Sequence, residues 1–292
     1  MGDGEAGRCF VRLNQSGRIV NPSAGRCSIL AVEPIEKRPL FHFLPGCKFL
    51  SVGFYGCSLS CDFCQNFSVS QESEGKFSYQ SPDDLVQLSA DKQTSGIAFT
   101  YNEPTIYCEY VAEVAKKSRV VVKTSGFVNP HVLDEMSDVE AWNVDIKGDE
   151  EEYRRVCGGA LDPVMKAVEI LSNSDTHLEI SYLVLPRLVD DMKYHRRMRD
   201  WIAGLSISIP VHLLYCYPVH RMNEHYDRDQ LLPIYELFRE KMDFVYISNV
   251  YGSFQRRNTS CADCGALMIE RSPKAVVSST CCCGSKLKGV WA

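Results

Sequence analysis

The sequence predicts an α/β protein: a partial (β/α)6-type barrel followed by a small cysteine-rich, metal-binding segment. Two observations predict it. From about residue 49 onward, strand-like and helix-like stretches alternate, which points to a parallel sheet covered by helices. Six or seven such units favour a partial barrel, although the pattern by itself also fits an open sheet. The last stretch, 258–292, is short, rich in Cys and poor in large apolar residues, a composition that needs a metal to fold.

The elements follow in order. Residues 1–48 are mixed, with Gly, Pro and turn residues, and carry short strand candidates at 18–20 and 28–32. They read as a lead-in packed on the barrel. The barrel, 49–257, has strand candidates at 49–55, 97–101, 120–124, 142–146, 178–185, 211–215 and 244–248. Most are apolar runs rich in Val, Ile, Tyr and Phe. Between them, Ser81-Pro82-Asp83-Asp84 offers a cap, a first-position Pro and early acids for a helix through 85–92. Residues 104–118 place Ile106, Tyr110, Val111 and Val114 at helical spacing; 163–172, 190–205 and 227–241 complete the set.

Composition narrows the class. The chain has 292 residues, 45 % of them hydrophobic, enough to bury a sizeable core. A net charge of −5 argues against a bulk nucleic-acid binder. No apolar run reaches the roughly 18 residues of a membrane span. Met1-Gly2-Asp3-Gly4-Glu5 lacks the basic, then apolar, start of a signal peptide. The expectation is a cytoplasmic protein with no membrane partner.

Fourteen cysteines in such a chain suggest metal. Cys57, Cys61 and Cys64 form C-x3-C-x2-C directly after the first barrel strand candidate. Three thiolates on one loop can bind three irons of a cubane cluster and leave the fourth open for a substrate to coordinate. The same spacing also serves a zinc knuckle with a distant fourth ligand, or a closed electron-transfer cluster. The second group is Cys261, Cys264, Cys281, Cys282 and Cys283. Cys261-Ala262-Asp263-Cys264-Gly265 and Thr280-Cys281-Cys282-Cys283-Gly284 resemble two knuckles of a zinc ribbon, but Thr280 stands where a second C-x2-C needs Cys. The usable pairs are Cys281 with Cys283, or adjacent cysteines. Both a tetrathiolate zinc site on Cys261, Cys264, Cys281 and Cys283 and an auxiliary iron–sulfur cluster stay open. The remaining cysteines, at 9, 27, 47, 108, 157 and 216, read as small buried side chains.

C-x3-C-x-φ-C, with Phe63 directly before the third Cys, resembles the signature of the radical S-adenosylmethionine (SAM) superfamily. The wider pattern narrows this. Lys37-Arg38-Pro39-Leu40-Phe41-His42-Phe43-Leu44-Pro45-Gly46, Gln65-Asn66, Thr100-Tyr101-Asn102-Glu103-Pro104-Thr105, Thr124-Ser125-Gly126-Phe127 and Asn143-Val144-Asp145-Ile146-Lys147-Gly148 are similar to the branch of pyruvate formate-lyase activating enzymes. So are Ile209-Pro210-Val211-His212 and Tyr246-Ile247-Ser248-Asn249-Val250. The resemblance is closest to the radical SAM member of the AmmeMemoRadiSam group and covers roughly residues 26–292.

It implies a [4Fe–4S] cluster on Cys57, Cys61 and Cys64, and SAM as cofactor. Reduction of SAM would yield methionine and a 5′-deoxyadenosyl radical that takes hydrogen from a substrate. Flavodoxin or ferredoxin would supply the electron. Phe63 would line the adenine pocket, or else pack in the core. Asn102 and Glu103 stand where the family commonly has Gly-Gly-Glu before the SAM ammonium; the alternative for Glu103 is an acid offsetting a helix dipole, and for Lys147 a solvated charge. Thr124, Ser125, Asp145 and Lys147 end strands at the barrel mouth, where they would contact ribose and carboxylate. Lys123 departs from the family's acid; it either pairs inward with Asp145 or faces outward. Cys216 would donate a hydrogen atom to a substrate radical, or be a small packed thiol. The substrate is left between a partner protein's glycine, as for an activase, and a small or nucleotide-like molecule. The rival class is a non-catalytic iron–sulfur or zinc protein serving electron transfer or binding.

Overall fold

The computed structural model describes residues 1–72, 75–250, 254–271 and 275–291. Its centre is one sheet of eight strands: β1 (Ile29–Pro34), β2 (Lys48–Gly53), β3 (Ile97–Phe99), β4 (Val120–Thr124), β5 (Ala141–Ile146), β6 (His177–Val184), β7 (Val211–Tyr215) and β8 (Val245–Ile247). They lie side by side in chain order, with β1 antiparallel to β2 and every later pair parallel. Parallel neighbours joined in one direction put the crossover helices on one face, and the sheet curls inside them. The helices are α1 (Pro82–Asp91), α2 (Cys108–Ala115), α3 (Pro130–Glu135), α4 (Asp162–Ser172), α5 (Met192–Leu205) and α6 (Leu231–Arg239).

The two faces of the sheet differ in chemistry. Val120, Val122, Trp142, Val144, Ile180, Tyr182, Val211 and Leu213 point outward and are buried under the helices in the main core. The alternate positions point inward, and they include a polar set, Ser51, Lys123, Asn143, Asp145, Glu179, Ser181 and His212, beside apolar residues such as Val121 and Ala141 that meet the floor. Register brings these into tiers, with Lys123 opposite Asn143, Asn143 opposite Glu179, and Asp145 opposite Ser181. The floor is closed by residues 35–49. Ile35, Leu40, Phe43 and Leu44 pack with Ala98, Val121 and Ala141 in a second core.

Most expected elements form where the pattern puts them, and the differences have local causes. The stretch 1–48 contributes β1 to the sheet. The expected helix at 104–118 opens as a 3-10 turn over Pro104–Tyr107, capped by Glu103 accepting from Thr105 N, before it relaxes into α2. Helix α3 was not visible in the pattern; it has only six residues, and Leu133 is its one buried side chain. The turn Glu150–Glu152 running into a π-helical Tyr153–Cys157 was also missed. Behind the barrel, β9 (Thr259–Ser260), β10 (Leu267–Arg271) and β11 (Ala275–Val277) form a small antiparallel sheet. No helix among the described residues is long and apolar enough to cross a membrane.

Candidate active site

The chain leaves β2 at Gly53 and turns at Gly56 into the first cysteine loop. Gly56 has φ +80°, and a Cβ there would stand 2.3 Å from Cys9 O, so only glycine makes this turn. Asn102 holds the turn: its Oδ1 accepts from Phe54 N at 3.0 Å, and its Nδ2 donates to Tyr55 O and Gly56 O at 3.1 and 3.0 Å. Both amide protons of Asn102, expected to face SAM, are therefore spent on the cysteine loop. On the far side, Ser60 N and Asp62 N donate to Cys157 O and Val156 O at 2.9 and 2.8 Å. The π-helical turn thus clamps the backbone on either side of Cys61.

One cavity of about 220 Å³ sits at the C-terminal ends of the strands. Cys57, Cys61, Phe63 and Cys64 line one wall; Asn102, Glu103, Thr124 and Ser125 line the next. Asp145 and Lys147 also line it, as do Cys216, Leu183, Leu214 and Tyr217, and Cys216 lies close enough to Lys147 and Cys61 to feel their charges. The sequence spreads these residues from Cys57 to Tyr217; the fold brings them together.

Glu103 is 1 % exposed and accepts five hydrogen bonds. They come from Thr105 N and Oγ1 at 3.1 and 2.8 Å, Thr124 Oγ1 at 2.7 Å, and Ser125 N and Oγ at 2.9 and 2.6 Å. Thr124 and Ser125 here orient the carboxylate, which fixes a negative charge at the cavity wall. Just before it, Tyr101 has φ +73°, a rare backbone state for a bulky residue that marks a site under constraint. The constraint is visible: Tyr101 OH donates to Glu33 at 2.6 Å and accepts from Arg38 at 3.0 Å, and the guanidinium lies 4.6 Å over the ring.

Asp145 lies between two lysines. Lys123 Nζ donates to Asp145 at 2.6 Å, Asn143 at 2.7 Å and Ser181 at 3.2 Å, which uses all three of its protons. Lys123 therefore points inward. Burial works against the Asp145 charge, but the two ammoniums outweigh it and hold the carboxyl at about 2. Burial lowers Lys123. Lys147 is buried too, yet the Asp145 and Cys61 charges raise it above the usual lysine range.

Burial pushes the Cys57 thiol well above its ordinary value and raises Cys64. Cys61 is held well above it by hydrogen bonding with Cys157 and then by burial, against the pull of the Lys147 charge. Cys157 belongs to the residues that sequence reasoning missed. So does Tyr153, whose hydroxyl accepts from Lys147 N at 3.1 Å. Neither has a local signal: both act from a π-helical turn whose partner is a distant loop.

The donor set fits a cubane cluster open at one iron. The three thiols of one loop face the cavity; Cys216 lines it too but comes from the end of β7 rather than from that loop, and Cys157, fully buried, stands outside the lining. At the far end of the molecule, Cys261, Cys264, Cys281 and Cys283 gather as a second potential metal site.

Fold and site define an α/β partial-barrel protein with a three-cysteine loop over a charged cavity. The radical SAM superfamily profile matches residues 51–198, about half of the chain, and the chain belongs to that superfamily, whose members are enzymes. An uncharacterized protein of Methanocaldococcus jannaschii is 31 % identical over 287 residues, covering 92 % of this chain and 84 % of that one. Among solved structures, Streptococcus suis SuiB bound to S-adenosylmethionine superposes with a TM-score of 0.56 at 12 % identity; the match covers 76 % of this chain and 54 % of SuiB. The protein anSMEcpe, solved with AdoMet and a peptide, gives 0.52 at 14 % identity, over 67 % of this chain and 63 % of that one. At these identities the likeness to SuiB and anSMEcpe is one of fold. The α/β fold class and the superfamily expected from the sequence are both borne out.

Proposed function

We propose that this radical SAM enzyme holds a [4Fe–4S] cluster on Cys57, Cys61 and Cys64 and binds SAM in the cavity beside it. When bound, the cluster supplies one electron to the sulfonium, and SAM divides into methionine and a 5′-deoxyadenosyl radical that takes a hydrogen atom from substrate. The observation that carries this reading is the shared cavity: three thiols, a fixed carboxylate at Glu103 and a lysine at 147 with protons to spare, all within one small space.

Each residue has a task in this reading. Glu103 faces the SAM ammonium and Lys147 the SAM carboxylate, so opposite charges meet at both ends of the amino acid. Phe63 is buried beside Cys64 and offers its ring to the adenine. Asn102, Thr124, Ser125 and Asp145 act by holding the loop, the carboxylate and the lysine in place. Cys216 stays protonated, since burial pushes it up to about 12, and a thiol that keeps its hydrogen suits a hydrogen-atom donor. A Cys216→Ala variant with full product formation removes that role.

The substrate is a protein glycine or a small molecule reached from the Cys216 side of the cavity. Flavodoxin or ferredoxin is the proposed reductant. The test is anaerobic reconstitution followed by dithionite and SAM. Formation of 5′-deoxyadenosine is expected, and its abolition in a Cys57→Ala variant. A reconstituted protein that neither binds SAM nor forms 5′-deoxyadenosine is an electron carrier or a binding module instead.

A further inference from the structure

We propose that Cys261, Cys264, Cys281 and Cys283 hold a single Zn²⁺ as a tetrathiolate, and that this ion anchors the C-terminal module to the barrel floor. The proposal stands whether or not SAM is cleaved.

Spacing selects a single ion over a cluster. Cys261 Sγ lies 3.7 Å from Cys283 Sγ, and Cys264 Sγ 3.4 Å from Cys281 Sγ. All four sulfurs fall within 4.8 Å of one another, the only thiols so gathered among the described residues. Zn–S bonds of about 2.3 Å in a tetrahedron need sulfurs roughly 3.8 Å apart. A cubane places four irons and their sulfides between its cysteines and spreads them much wider. The tight tetrad fits one ion.

The turns are built to match. Gly265 N donates to Cys261 O at 2.9 Å, and Gly284 N to Cys281 O at 2.9 Å. Both glycines have positive φ, +76° and +91°, so each turn folds its two sulfurs back toward one point. An Asp263–Ser285 hydrogen bond ties the turns together. The C-x-C pair is therefore Cys281 with Cys283. Cys282 is exposed and stands outside the tetrad.

The module has little else to hold it. Its core is Cys261, Met268, Ile269, Cys281 and Leu287 packed on Phe41, Phe244 and Tyr246 of the barrel. So small a core needs a metal to be stable. The contacts it makes continue inward. Arg271 donates to Phe41 O at 2.6 Å and to Thr259 Oγ1 at 2.8 Å. Tyr246 OH joins Thr259 to His42 Nε2 at 2.8 and 2.6 Å, and Val290 N donates to His42 O at 2.8 Å. Phe41 N and His42 N in turn donate to Glu179, fully buried on β6, at 3.0 and 2.7 Å. The metal turns thus brace the segment that plugs the barrel.

Metal analysis of the full-length, anaerobically purified chain tests the first part. One zinc per chain is expected, lost in a Cys261→Ser/Cys264→Ser variant that keeps its iron, and retained in Cys282→Ser. Iron lost with those cysteines overturns the assignment, as does a chain without zinc that shows no tetrahedral thiolate spectrum on adding Co²⁺. Should the double variant fail to fold, the Co²⁺ spectrum of the zinc-stripped parent decides. For the second part, zinc removal from the parent is expected to speed hydrogen exchange at residues 41–44 at least ten-fold. Unchanged exchange there overturns the anchoring role.

Discussion

Lys147 donates to Asp145 Oδ2 at 2.7 Å, and among the described residues its ammonium has no other hydrogen-bond partner. Lys123, on the other side of the same carboxylate, has none of its protons to spare. The two lysines are therefore not equivalent: one is structural, and the other presents two unused donors to the cavity. Lys147→Gln should weaken SAM binding to the reconstituted protein about ten- to a hundred-fold, the range of a charged hydrogen bond worth roughly 1.5–3 kcal/mol. Iron content should not change. Equilibrium binding of SAM checks this, and an unaltered affinity assigns Lys147 to the fold alone.

Removing the shared carboxylate should instead act on stability. Asp145→Asn leaves two ammoniums facing an amide. The three side chains keep 14–22 % of their exposure, because the cavity opens over them, so the cost belongs at the low end for a broken buried pair, about 3 kcal/mol. Denaturant unfolding of the variant against the parent measures it. A loss below about 1 kcal/mol would mean that water already screens both lysines.

Cys157 meets Cys61 from behind the cavity. With the cluster bound, its S–H would donate to the Cys61 sulfur, and such donors favour the reduced, more negative state. Cys157→Ala should lower the midpoint potential of the cluster and alter the electron paramagnetic resonance spectrum of its reduced form, at unchanged iron content. Cys157→Ser should restore part of the shift. Equal potentials in all three proteins would reduce Cys157 to a packing residue.

How far the sequence spoke depends on which side of the strands one looks at. The outward apolar residues of β4 and β7, Val120, Val122, Val211 and Leu213, mark both strands, and those strands were legible to the residue. The cysteine loop, Glu103 and Asp145 were legible because each follows or ends a strand. The inward polar set was not. Asn143, Glu179, Ser181 and His212 read as interruptions in apolar runs, since a barrel interior that carries hydrogen bonds has no periodic signature of its own. The direction of Lys123 turned on Asn143 and Ser181, its partners on the two following strands. Asn102 was taken for a cofactor contact because of its place in a motif; its partners Phe54, Tyr55 and Gly56 lie on another strand end.

The buried histidines make stability depend on pH. His42 is fully buried between Tyr246 OH and Lys288 O. Burial lowers it to about 4; the Glu179 charge opposes that, while Arg271 and His177 reinforce it. The unfolded chain takes up a proton near 6.5 that folded His42 refuses until about 4, so stability falls as pH drops through that window. At pH 5 this amounts to about 2 kcal/mol. His195, also lowered to about 4 by burial, adds a loss of the same sign. Glu179 does not contribute there. Burial raises it, but His177 and His212 hold it well below the usual range, so its stabilisation is complete above about 4.5 and lost only under more acidic conditions. His212, also lowered by burial, adds a further loss of the same sign, so unfolding free energies at pH 7.5 and 5 should differ by at least roughly 4 kcal/mol, and His42→Gln should remove about 2 kcal/mol of that difference. A variant with the parent's full pH dependence would show that His42 takes up its proton in the folded state.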